Sequence, residues 1–347
     1  AHETFKAAQE LWESNAREHP GAARTLIGLA DLQAQLGNLR EAELSIQRAV
    51  TLVERSEHAS SQLIAQTRLA QARLAIRQGN PAAALTAARR AQKAAQNTTQ
   101  SIQAQVIAAR AHLDMGNRAE ASNTVTALKA ASDSVAPSAT KLDRALLVAA
   151  QGQINAGLSR YQNAAEDTIK ATSMLDAAGL SNRPLRYELD IELAQYLRDG
   201  GQFGKAAQQL ERALQTLRRG SAPESLFVVK VLHARAVLEQ RKGLSAQAIA
   251  TVTEARSAAV RVVGNSSPLH AHLLYTQGLA ELDAGMSSQS QATLASALLA
   301  ARKASSTRNP GLAKFQLALA DAQLRAGKNR EANDAIRAAK GLIRNTK

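Results

Sequence analysis

The sequence predicts an all-α fold, an α-α superhelix of about eight stacked helix-turn-helix repeats. A glycine recurs at Gly37, Gly79, Gly116, Gly157, Gly201, Gly243, Gly285 and Gly327, at intervals of 42, 37, 41, 44, 42, 42 and 42 residues. Seven positions before each stands a small residue: Ala30, Ala72, Ala109, Ala150, Ala194, Ala236, Gly278 and Ala320. The 347 residues include 74 alanines but only 19 glycines and 7 prolines, with 3% aromatics. Such a composition favours helices that approach closely, and it excludes an all-β fold.

Each element follows from that punctuation. Glycine after a periodic apolar stretch supplies the left-handed backbone that stops a helix. Five residues later stand Ala42, Ala84, Ala121, Ala206, Ala248 and Ala332, with Ser290 in the seventh repeat. Twelve residues later stand Ala49, Ala91, Ala213, Ala255, Ala297 and Ala339. In the fourth repeat the matching Ala164 and Ala171 arrive two residues late. Pro20, Pro137, Pro184, Pro223, Pro268 and Pro310 stand where a repeat's first helix should open, and Pro81 takes the tolerated first turn of a second helix. The expected organisation is a single solenoid over 1–347, with a leading helix at 3–18. Its repeats span about 21–56, 59–96, 98–132, 137–178, 184–219, 223–263, 267–305 and 309–345. One such hairpin cannot bury its apolar face alone, so the repeats must stack.

Ala30, Gly37, Ala42 and Ala49, like Ala236, Gly243, Ala248 and Ala255, form a pattern that resembles the tetratricopeptide repeat (TPR) signature. The resemblance covers residues 21–345. The 42-residue period is similar to the extended repeats of kinesin light chains and many bacterial signalling proteins, although Leu, Ile or Ala fill most of the family's aromatic positions. The texture rich in Ala, Gln and Arg, with Gly264, Asn265, Ser266, Ser267 and Pro268 opening a repeat, resembles the sensor regions of bacterial eukaryotic-like serine/threonine kinases. That likeness implies a periplasmic address, with a cytoplasmic one as the alternative, and a kinase domain outside this chain. The TPR resemblance implies that first helices line a concave groove that takes a peptide or protein.

Catalytic constellations are missing. There is no cysteine, so no disulfide, thiolate metal site or thiol nucleophile. Glycine-rich phosphate loops and kinase catalytic motifs are absent. His270 and His272 stand two apart on a helix and point to different faces, and the carboxylate pairs Glu41/Glu43 and Asp190/Glu192, also two apart on helices, read as solvated faces. The expectation is a non-catalytic chain without cofactor or metal, and no apolar run is long enough to span a bilayer. Net charge is +14, concentrated in residues 201–263 (net +6) and 301–347 (net +8). That excess makes a nucleic-acid-binding array the alternative function.

The repeat makes the groove readable. Positions 13, 6 and 2 before each glycine share one face of the first helix. Twenty-two of these 24 residues are polar, none is aromatic, and their charge sums to +3, too balanced for tracking phosphates. Arg73, Arg77, Arg110, Arg144, Gln151, Asn155 and Gln195 are the expected groove-lining residues. Positions 10 and 3 before the glycine are apolar except in repeats five to seven, where Arg198, His233, Gln240 and Tyr275 intrude. With Lys230, Arg241 and His272 they form the expected ligand-recognition patch, and its two histidines predict pH sensitivity of binding near pH 6–7.

Overall fold

In the computed structural model the described residues are 2–15, 19–134, 140–181, 183–219, 225–265, 267–304 and 309–344. They contain seventeen α-helices and one 3-10 turn, and no strand. The expected repeat edges at 137, 223, 305 and 345, with Pro137, Pro223 and the end of the leading helix at 16–18, lie outside them. Two compact units divide the chain, Ala1–Ala178 and Gly179–Lys347.

Unit 1 opens with α1 (His2–Asn15) and continues as four hairpins. These pair α2 (Ala22–Gln35) with α3 (Leu39–Arg55), and α4 (Ser61–Arg77) with α5 (Pro81–Ala94). Next come α6 (Thr98–Asp114) with α7 (Arg118–Ser134), and α8 (Lys141–Gly157) with α9 (Tyr161–Ala177). Unit 2 pairs α10 (Pro184–Asp199) with α11 (Phe203–Arg219), and α12 (Leu226–Arg241) with α13 (Ser245–Val263). It ends with α14 (Pro268–Asp283) and α15 (Ser287–Lys303), then a 3-10 turn (Pro310–Leu312), α16 (Ala313–Arg325) and α17 (Asn329–Arg344).

Local chemistry sets these boundaries. Ser60, Asn80, Asn97, Ser225 and Ser267 each accept a backbone N–H at the start of a helix, and Thr140 with Asp143 forms a capping box. Pro81, Pro184 and Pro268 occupy first-turn positions, where the missing N–H costs nothing. Seven of the eight marker glycines adopt positive φ, from Gly79 at 73° to Gly37 at 89°.

The fourth marker is a correction. Gly157 ends α8 inside the helix, and Ser159 takes the left-handed conformation instead, at φ 64°. Arg160 N donates to Asn155 O at 2.8 Å, just as Asn38 N donates to Gln33 O at 2.8 Å, so Ser159 is the counterpart of Gly37. On that register Gly152 is the small residue seven before the turn, and Ala164 and Ala171 fall five and twelve after it. The fourth repeat has no late alanines.

Alanine is what lets each hairpin close. Ala42, Ala49, Ala72, Ala84, Ala91, Ala236, Ala248 and Ala255 are all buried at the crossings. At the fourth and seventh crossings the small residue is glycine, and a Cβ on Gly278 would stand 2.5 Å from Leu294 Cγ. Beside these seams lies a column, four residues before the turn, that is polar in six of the eight repeats. There Ser45 Oγ donates to Gln33 Oε1 (3.0 Å), Asn155 Nδ2 donates to Asp167 Oδ2 (2.9 Å), and Gln289 Nε2 donates to Glu281 Oε1 (3.1 Å). In each unit successive first helices touch one another, and each second helix packs on the first helix of the next hairpin. First helices therefore form the inner row.

Candidate ligand-binding face

On the inner row, side chains pair across neighbouring repeats. In unit 1 Arg73 Nη2 reaches Asp31 Oδ2 one repeat earlier at 3.0 Å, and Arg110 pairs with Asp114 one turn along α6 at 3.1 Å. Arg77 is exposed on that row, and Arg144 is exposed but stands two residues off the groove position once the turn is placed at Ser159. Gln151 and Asn155 correct the expected face. The register at Ser159 leaves both buried, and Asn155 is committed to Asp167 across the α8–α9 seam. Burial raises the Asp167 carboxyl, with Asn155 opposing it. Leu146, Gln153 and Gly157 take the groove positions of that repeat.

Unit 2 gathers the expected patch. Lys230 Nζ lies 3.6 Å from Glu188 Oε1 and 5.5 Å from the Phe227 ring centroid. His233 Nε2 shares a hydrogen bond with Thr276 Oγ1 at 2.9 Å, and Gln240 Nε2 donates to Asp283 Oδ2 at 2.6 Å. Arg198 is held by Asp199 through two contacts, at 2.8 and 3.0 Å. Glu188, Ile191, Glu192, Gln195, Lys230 and His233 line a groove of about 390 Å³ between α10 and α12.

The sharpest arrangement lies on α14 and α16. Tyr275 meets Phe315 edge-on with centroids 5.0 Å apart, and His272 stands 5.6 Å from the same ring. The ammonium of Lys314 sits 5.3 Å from the Phe315 centroid and 5.7 Å from that of Tyr275, and it donates to His272 Nδ1 at 3.3 Å. Rings attract that cation through their negative faces. Removal from water lowers the Lys314 pKa, and it raises that of Tyr275 against the opposing charge of Arg241. Neither Lys314 nor Arg241 pairs with a carboxylate among the described residues.

The histidines depart from the sequence expectation. Desolvation, then the charges of Arg198 and Lys314, holds His233 down to about 4. Desolvation, then Lys314 and His233, holds His272 down to about 3. Both rings are neutral at pH 6–7, so the predicted titration in that range is withdrawn. An acceptor Nδ1 facing an ammonium is what a neutral His272 provides.

Sequence reasoning left Lys314, Phe315, Thr276, Glu188 and Asp283 out of the patch. The signal was present, because Glu188, Lys230, His272 and Lys314 occupy one column at 42-residue steps. Reading along that column for partners would have found them.

No family model and no curated protein matches the chain. Solved structures do. A Rap protein complexed with Competence and Sporulation Factor is 11% identical, with TM-score 0.58 over 93% of this chain and 98% of its own. A STAND signal-transduction ATPase with a tetratricopeptide repeat sensor, from Pyrococcus horikoshii, is 11% identical, with TM-score 0.57 over 92% of this chain and 48% of its own. NprR in complex with its cognate peptide NprX is 14% identical, with TM-score 0.52 over 79% of this chain and 76% of its own. By fold, this chain is a TPR-like α-solenoid protein.

Proposed function

We propose that this chain is a non-catalytic ligand-sensing module. Its unit 2 receives an extended peptide, or a segment of a partner protein, along the inner row, with an acidic group of that ligand at Lys314 and Arg241. The observation that carries this reading is Lys314, a solvent-reaching cation fixed over two rings and bonded, among the described residues, only to a neutral imidazole. A carboxylate arriving there gains charge-assisted hydrogen bonds without displacing an existing counter-ion. Gln195 and the two neutral histidines add donors and acceptors suited to main-chain groups. Unit 1 offers less, since Arg73 and Arg110 already hold carboxylates.

The likeness in fold to Rap and NprR, each solved with a bound factor or peptide, supports a peptide ligand. The resemblance in texture supports a place as the sensor region of a bacterial signalling protein such as a serine/threonine kinase, on the periplasmic side. The test is fluorescence anisotropy with labelled decapeptide pools, one carrying a fixed Glu and the other a fixed Gln. The Glu pool binds at least tenfold more tightly, and Lys314→Ala with Arg241→Ala removes the preference while Arg73→Ala does not. Equal affinity for both pools refutes the acidic contact. Polynucleotide binding that collapses steeply with salt, with no peptide binding, moves the assignment to a nucleic-acid array.

A further inference from the structure

A second groove, on the opposite side of unit 2, is unused by that reading and independent of it. It encloses about 500 Å³ between α11 and α13, with Arg235, Leu238 and Glu239 of α12 as its floor. Ala207, Leu238 and Leu244 give it apolar surface. Arg235 Nε reaches Glu239 Oε1 at 2.9 Å, and its Nη1 lies 3.6 Å from Glu211 Oε2. The Glu239 side chain is only 10% exposed, and its Oε2 has no hydrogen-bond partner among the described residues.

The next repeat holds a closed copy of the same site. Glu281 stands four residues before Gly285 as Glu239 stands four before Gly243, and it is fully buried. Its Oε1 accepts from Gln277 at 2.7 Å and from Gln289 at 3.1 Å, and Arg256 Nη1 donates to Gln277 Oε1 at 2.5 Å. In the sixth repeat Leu214 replaces that sealing arginine, and Gln247, the counterpart of Gln289, lines the open groove instead. Glu281 Oε2 is also without a partner among the described residues, but Glu239 lines the groove and Glu281 does not.

We propose that this groove is a docking site for a partner protein's aromatic side chain carrying one hydrogen-bond donor, the indole of tryptophan or the phenol of tyrosine. A buried carboxylate oxygen only accepts, so the visitor must donate. The groove's charges, Glu211 and Glu239 against Arg212, Arg235 and Lys242, are too balanced to select an ion. Apolar walls and the flat Arg235 guanidinium suit a ring, which gains area burial and a cation–π contact.

The test is amide chemical-shift mapping of the full chain with N-acetyl-tryptophanamide, N-acetyl-tyrosinamide, N-acetyl-phenylalaninamide and N-acetyl-lysinamide. The tryptophan and tyrosine probes shift amides within 207–215 and 235–247 and bind several-fold more tightly than the phenylalanine probe. The advantage of those two disappears in Glu239→Leu. Should that variant fail to fold, Leu244→Ser at the exposed wall weakens both about fivefold and leaves Lys314-dependent peptide binding intact. Equal shifts from the phenylalanine probe, stronger binding of the lysine probe, or shifts outside these segments overturn the proposal.

Discussion

The seventh crossing gives the most exposed test of the packing. A repeat signature invites Gly278→Ala, because Ala occupies that position in most of the other repeats. On helix propensity alone the change gains about 1 kcal/mol. The structure reverses the sign. An added Cβ would stand 2.5 Å from Leu294 Cγ and 2.7 Å from its Cδ2, and Leu294 is fully buried. Relieving such an overlap costs about 1–3 kcal/mol, so the net loss is about 1 kcal/mol. In a Leu294→Ala background the obstructing atoms are gone, and the same substitution should then stabilise by about 1 kcal/mol. The pair is thereby coupled by about 2 kcal/mol. Hydrogen exchange of α14 and α15 amides reads it directly, with exchange about fivefold faster for Gly278→Ala alone and slower when it is added to Leu294→Ala. The same effect in both backgrounds refutes the steric account.

Ser159→Gly should stabilise unit 1 by about 1 kcal/mol, because only glycine adopts positive φ without a Cβ penalty. The thermal transition followed by Trp12 fluorescence should rise by about 2–4 °C, and no rise contradicts the assigned strain. His233 and His272 should show no titration of their ring resonances between pH 7.5 and 5.5. Because their folded pKa values, about 4 and 3, lie below the unfolded value, unit 2 keeps their stabilising contribution above about pH 6.5. It loses that contribution as the pH falls toward 4 and 3. A ring that titrates near 6.5, or a unit 2 melting temperature that does not fall between pH 6.5 and 4, disproves the desolvated setting.

The hairpins were legible because helix stops and tiny side chains are dictated by local backbone chemistry at fixed offsets. The fourth turn was misplaced for the same reason. Gly157 looks like a stop, yet Gly152, Ser159, Ala164 and Ala171 fit the common offsets, and they make the neighbouring intervals 43 and 42 rather than 41 and 44. Spacing outranked residue type there, and three expected groove residues, Arg144, Gln151 and Asn155, were misassigned with it. In unit 2 the polar intrusions at Arg198, His233, Gln240 and Tyr275 stood out from otherwise apolar columns. The protonation of His233 and His272 was not legible, because it depends on their burial and on the ammonium of Lys314 from a later repeat.

Near-identical alanine seams create an ambiguity of partner choice, since any second helix offers much the same smooth surface to any first helix. The polar column beside the seams removes it. Gln33 finds a hydroxyl at Ser45, Asn155 a carboxylate at Asp167, and Glu281 an amide at Gln289. A hairpin swapped into the wrong neighbour strands these groups away from water, at about 1–3 kcal/mol each. Anyone duplicating, deleting or shuffling segments of this chain must therefore move each such pair together, because it works as an address label for its own hairpin.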